Sequence, residues 1–179
     1  MSVDTLAREG VSMEALLAAK AQRAARQADW IAHYQQPVVS LTLVTPGAVK
    51  DSIRYRNMMG VALQACDQML WKHRWQTLDR QALWLPTGPE ALWCVAHPAS
   101  EIKALCDELV QTHPLGRLWD IDVISPKKGL VSGQSEGAHR RQCLLCDAPA
   151  QECARSHRHE TEQLVAHVDR MIDAWFARD

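Results

Sequence analysis

The chain has 179 residues and a formal net charge of −1, which argues against a general polyanion binder. No apolar run approaches membrane-spanning length, and the opening "MSVDTLAREG" lacks the apolar stretch of a signal peptide, so a cytoplasmic protein is expected. Its six cysteines are then reduced thiols or metal ligands, not a disulfide framework. This length suits one domain over 1–179, with a core at about 37–125, a Cys-rich segment at about 139–159 and a last helix at about 160–177.

In chain order, Leu17, Ala21, Ala24, Ala28 and Ile31 recur at helical spacing after Ser12, a natural N-cap, and predict a helix over about 12–34. "PVVSLTLVT" (37–45) is a β-branched run closed by Pro46-Gly47 and reads as a buried strand. Val49, Ile53, Met59, Leu63, Cys66 and Leu70 return to helical spacing up to about Lys72. "QALWL" (81–85) and "EALWCVA" (90–96), separated by "PTGP", predict a hairpin. Trp71, Trp75, Trp84 and Trp93 fall where core or half-core residues belong. Pro98 opens a helix carrying Ile102, Leu105 and Leu109, which ends near His113-Pro114. "GRLWDIDVIS" (116–125) is the next strand. Residues 126–159 show little periodicity, and a final helix carries Leu164, Val168, Met171 and Trp175.

Without the terminal helices the order is β-α-β-β-α-β, so the expected fold is α+β with a ferredoxin-like core, extra N- and C-terminal helices and a Cys-rich segment. On this reading the first and third strands are central and parallel, with the fourth antiparallel beside the first. The end of the first strand (Thr45, Pro46, Gly47, then Lys50) should then meet the start of the fourth (Gly116, Arg117). Ala96 and His97 should fall on the same edge.

Three groups of residues carry chemistry. In the fourth strand, Asp120 and Asp122 share a face, with Cα atoms roughly 7 Å apart, while Trp119, Ile121 and Val123 share the other. Leu118 is placed beside the acids. A paired carboxylate face needs water, a cation or a basic partner. It is either a solvated edge strand or a Mg²⁺ site for phosphates. "TPGAVKDSIRYR" (45–56) sets a Pro-Gly turn before a helix start, where backbone N–H groups and Lys50, Arg54 and Arg56 favour anions. It lacks P-loop spacing and could equally be an ordinary turn with surface bases. Brought beside Asp120 and Asp122, with Arg117, the turn would suit a metal-bound polyphosphate. "CLLCDAPAQECARSHRH" (143–159) spells C-x2-C-x6-C-x3-H-x-H. Cys143, Cys146, Cys153 and either His157 or His159 would make a tetrahedral, structural Zn²⁺ site. Alternatively, the thiols simply pack as small apolar groups.

At "SLTLVTPGAVK", "HPLGRLWDIDV" and "RQCLLCDAPAQECARSHRH" the chain resembles the holo-citrate lyase synthase family, the apo-citrate lyase phosphoribosyl-dephospho-CoA transferases. The likeness runs in order through nearly the whole chain, including "GPEAL" at 88–92, with Ala48 where the family's turn is expected to carry Pro. It implies a nucleotidyltransferase-type reaction in which 2′-(5″-triphosphoribosyl)-3′-dephospho-CoA is joined to a serine of the apo acyl-carrier (gamma) subunit of citrate lyase, with loss of pyrophosphate. Site roles come from the residues' own chemistry. Asp120 and Asp122 would hold Mg²⁺, with Asp51 or Glu101 as a third carboxylate. Gly47, Lys50, Arg54 and Arg117 would bind the triphosphate, and His113 would serve as base. Arg140, Arg141, Arg155 and Arg158 would offer the carrier a basic face, the Arg-rich first helix being the other candidate. No membrane or nucleic-acid partner is expected. The rival class is a non-catalytic zinc module binding a protein or nucleic acid through residues 139–159.

Overall fold

Alternation of side chains along strands, read together with strand pairing, fixes what each sheet face carries. The computed structural model describes residues 10–132 and 141–178. They form α1 (Met13–Tyr34), β1 (Val38–Leu43), α2 (Ile53–Lys72), β2 (Gln76–Leu85), β3 (Gly88–Ala96), α3 (Ala99–Thr112), a 3₁₀ turn (Gly116–Leu118), β4 (Trp119–Ser125), β5 (Gly129–Leu130), α4 (Ala150–Ser156) and α5 (Thr161–Ala177). Among them no helix is long and apolar enough to cross a membrane.

The β-α-β-β-α-β order is present, in one α+β sheet of order β2-β3-β1-β4-β5. Every pairing is antiparallel, including β1 with β3, which overturns the expected parallel centre. The reason is directional: the α2 crossover returns β2 in the sense of β1, and the hairpin then reverses β3. The end of β1 does meet the start of β4, through Leu43 opposite Trp119 and a 2.8 Å bond from Val44 N–H to the Leu118 carbonyl. Ala96 and His97 instead lie at the opposite end, where Val38 faces Cys94.

One face of the sheet presents Val39, Leu41, Ala91, Trp93, Val95, Trp119, Ile121 and Val123 to an apolar core shared with α2, α3 and α5. Leu118 joins that core from the 3₁₀ turn and does not share the carboxylate face. Gly116 makes this junction possible, since a Cβ there would sit 2.0 Å from the Val110 carbonyl oxygen. The opposite face carries Ser40, Glu90, Asp120 and Asp122 and is covered partly by α1. Ser12 caps α1 as expected, but the Ala-rich stripe does not face inward and Leu17 is 60% exposed. The helix turns polar groups to the sheet: Gln27 donates to Ser40 Oγ at 2.8 Å, and Arg23 and Arg26 pair with Glu90, which is only 5% exposed. A buried carboxylate there requires cations above it, and that requirement sets the helix's rotation. Of the four tryptophans expected at core or half-core positions, Trp93 is buried and Trp75 packs on the core edge, whereas Trp84 is exposed and Trp71 is 83% exposed.

Candidate functional site: a carboxylate groove beside a thiol cluster

β4 alternates buried apolar residues with Asp120 and Asp122, so the pleat itself delivers both acids to one side. Burial, and then the charge of Asp120, hold the Asp122 carboxyl above the ordinary carboxylate range, while Lys103, Arg141 and Arg23 oppose the shift. Both acids line a groove of about 1180 Å³, together with Gly47, Lys103, Arg117 and the Cys-rich segment. The expected meeting of the post-β1 turn with the carboxylate strand is therefore present. Gly47 adopts φ +82°, and a Cβ there would press on Val165 at 3.1 Å, so the turn is seated against the start of α5.

Other predicted residues fall elsewhere. α2 starts only at Ile53, capped by Ser52, so its N-terminus is separate from the Pro-Gly turn; the helix starts that line the groove are Ala150 of α4 and Thr161 of α5. Lys50 is folded inward, donating Nζ to the Thr45 carbonyl, and burial lowers its pKa. Arg54 is committed to α5 through Asp173 at 2.9 Å and Asp169 at 3.5 Å. His113 lies on the other side of the sheet, between the rings of Trp119 and Trp175, and its Nδ1 accepts the Leu115 N–H at 3.0 Å. Burial and the Arg178 charge keep it below the usual imidazole value. Neither third-carboxylate candidate lines the groove: Asp51 pairs with Arg56 and Glu101 with His97.

Among the groove residues that escaped the sequence reading are Lys103 and Asp107. Lys103 reaches from α3 to donate to the Ile121 carbonyl at 3.0 Å and to pair with Asp107 at 3.1 Å. Their i, i+4 spacing was visible, but as an ordinary surface pair. Only the strand packed beside α3 gives it a role.

The Cys-rich segment forms the opposite wall. Cys143 N–H donates to the Ala148 carbonyl at 2.8 Å, closing a tight loop that carries Cys143 and Cys146; α4, absent from the periodicity because it spans seven residues, supplies Cys153. Ligand atoms of Cys143, Cys146, Cys153 and His159 all lie within 4.8 Å of one another. The Cys146 sulfur is 3.4 Å from both the Cys153 sulfur and His159 Nε2. Of the two histidine alternatives, His159 joins the cluster. His157 instead ends α4 in the left-handed region at φ +50°. Burial raises the Cys143 thiol, but N–H groups of Leu145 and Cys146 and the neighbouring thiols outweigh it and leave Cys143 below its usual value. Three sulfurs and one imidazole are a closed soft-ligand set of the kind that holds structural Zn²⁺. Arg140, expected on a basic face, lies outside the described residues; Arg155 and Arg158 are exposed, while Arg141 is bonded to β4.

The sequence profile of the apo-citrate lyase phosphoribosyl-dephospho-CoA transferase family matches residues 11–175. The chain is 37% identical over 163 residues to the apo-citrate lyase phosphoribosyl-dephospho-CoA transferase of Shigella flexneri serotype 5b (strain 8401), covering 91% of this chain and 89% of that one. It is 36% identical, with the same coverage, to the transferase of that name from Escherichia coli O1:K1 / APEC.

Proposed function

This chain belongs to the apo-citrate lyase phosphoribosyl-dephospho-CoA transferase family, and from that premise we propose how its groove attaches the phosphoribosyl-dephospho-CoA group to apo-citrate lyase. The juxtaposition of Asp120 and Asp122 with the Gly47 turn, Arg117 and Lys103 in one groove carries the reading. The triphosphate of 2′-(5″-triphosphoribosyl)-3′-dephospho-CoA lies there. A serine hydroxyl of the acyl-carrier subunit attacks the phosphorus nearest the ribose. A new P–O bond forms as the serine O–H releases its proton to solvent, the bond to the second phosphate breaks, and pyrophosphate leaves with the electron pair.

Asp120 and Asp122 would hold Mg²⁺, a hard cation usually bound by one or two carboxylates plus phosphate oxygens. The fit rests on the donors: two carboxylates on one face, one of them lifted in pKa by burial and by its neighbour. When bound, Mg²⁺ supplies positive charge against the charge developing on the transferring and leaving phosphates. Arg117, as the sequence suggested, and Lys103, in place of Lys50 and Arg54, hold the leaving pyrophosphate. Cys143, Cys146, Cys153 and His159 would hold Zn²⁺, which would tie the tight loop to α4. Arg155 and Arg158, exposed beside that cluster, meet the acidic surface of the carrier.

The test is pyrophosphate release, with the matching mass increase on the carrier, when apo carrier, precursor and Mg²⁺ are combined. Release should stop on chelation of Mg²⁺ and in Asp120→Asn and Asp122→Asn. Near-normal release in both variants would falsify the assignment.

A further inference from the structure

Arg117 and Arg141 exchange hydrogen bonds across the gap between β4 and the Cys-rich segment. Arg117 Nη2 donates to the carbonyl of Cys143 at 2.8 Å and of Gln142 at 3.4 Å. In return, Arg141 donates Nη2 to the Trp119 carbonyl at 2.9 Å and to Asp120 Oδ1 at 3.3 Å, and Nη1 to the Arg117 carbonyl at 3.3 Å. The Arg141 backbone is fixed in turn, because its carbonyl accepts the N–H of Ala150, the first residue of the helix that carries Cys153. Arg141 also stands two residues before Cys143. A continuous line of bonds therefore runs from the thiol cluster, through the Arg141 backbone and guanidinium, to one oxygen of a groove carboxylate.

We infer that Arg141 is a positioning residue for Asp120, and that the metal centre formed by Cys143, Cys146, Cys153 and His159 holds Arg141 in place to do this. The inference rests on the proposed roles of Asp120 and of that centre. Three acceptors in different directions are reached from one planar fork, a geometry a lysine ammonium on its flexible stem cannot reproduce. Groups that orient a metal-binding carboxylate act on the reaction without touching the reacting atoms. Arg141 would thus set the rate of transfer, whereas a carrier-docking arginine would set the affinity for the carrier.

Arg141→Ala and Arg141→Lys, each loaded with Zn²⁺, separate these roles. For each, metal content, melting temperature, zinc release to a chromogenic chelator, and kcat and KM for apo carrier and precursor are measured. Both variants should keep their zinc, melt close to the wild type and hold both KM values near normal. Their kcat should fall by about tenfold to a hundredfold, and zinc release should quicken by roughly tenfold, because the segment loses its tether. A raised KM for the carrier with kcat retained overturns the inference in favour of docking. Full rescue by Arg141→Lys also overturns it, since charge alone would then suffice. Unchanged zinc release from a zinc-bound variant breaks the link to the metal centre while leaving that centre intact. A wild-type protein that neither contains nor takes up zinc removes the metal reading itself, and this inference with it.

Discussion

The two faces of β4 are built on opposite principles. Trp119, Ile121 and Val123 sit in a core built on burial of apolar surface, in which the Trp119 indole N–H finds no hydrogen-bond partner among the described residues. Asp120 and Asp122, interleaved with them, face a groove whose opposite wall is held by arginine bonds and a thiol cluster. On the proposed reading, seven consecutive residues divide stability from chemistry by pleat alone. Damage to one face should therefore leave the other standing.

The sharpest division is expected from the carboxylates. Asp120→Asn and Asp122→Asn should each lower kcat by roughly a thousandfold, the kinetic equivalent of several kcal/mol of lost charge stabilisation, with unchanged circular dichroism. Asp122→Asn should also melt higher than the wild type at neutral pH. Its carboxyl titrates above the unfolded value, so the fold binds the proton more tightly and loses stability as pH rises through that range. The stability gap should close on acidification, when wild-type Asp122 takes up its proton, and transfer activity should fall over the same range. A lower melting temperature for Asp122→Asn would mean that the acid is structural.

Ile121→Ala, one residue away on the other face, should cost about 2–5 kcal/mol in denaturant unfolding. Its residual folded fraction should keep a near-normal kcat. A large kcat defect in the folded fraction would show that the faces are coupled. Cys143→Ser tests the dependent wall: zinc content should drop and melting should fall by about 4–8 °C, the shift roughly 2 kcal/mol gives in a chain of this size. A zinc-free wild type with three titratable thiols in the segment would dispose of it. The smallest effect belongs to Arg155→Glu with Arg158→Glu. The carrier's KM should rise several-fold, with strong salt dependence, since exposed charges are each worth under about 1 kcal/mol. No salt dependence in the wild type would move docking to α1.

The sequence declared the carboxylate pair and the thiol spacing because both are local patterns, readable from pleat and ligand chemistry. Strand sense was not, because the direction of β3 depends on counting chain reversals through α2 and the hairpin. That one misreading carried His97 to the wrong end. His113 is close to Asp120 in sequence but stacks on Trp119, a residue of opposite parity, and so lies across the sheet. Arg54 was credited to phosphate because nothing local reveals that Asp169 and Asp173, more than a hundred positions later, pack against it. In α1, apolar spacing selected a row of alanines with little area to bury, while the inward face answered to Glu90.

The cationic contacts along β4 have a consequence for solubility. Beyond its short pairing with β5, this strand is a sheet edge, and its outward carbonyls invite another chain to add a strand. That of Trp119 is taken by Arg141, which also takes the Arg117 carbonyl of the preceding turn, that of Ile121 by Lys103, and that of Val123 by the Val131 N–H. Positive side chains thus occupy the template on which edge-to-edge aggregation would begin. On the proposed zinc reading, removing the metal should free the carbonyls that Arg141 covers and open that stretch of edge to aggregation, well before the apolar core unfolds.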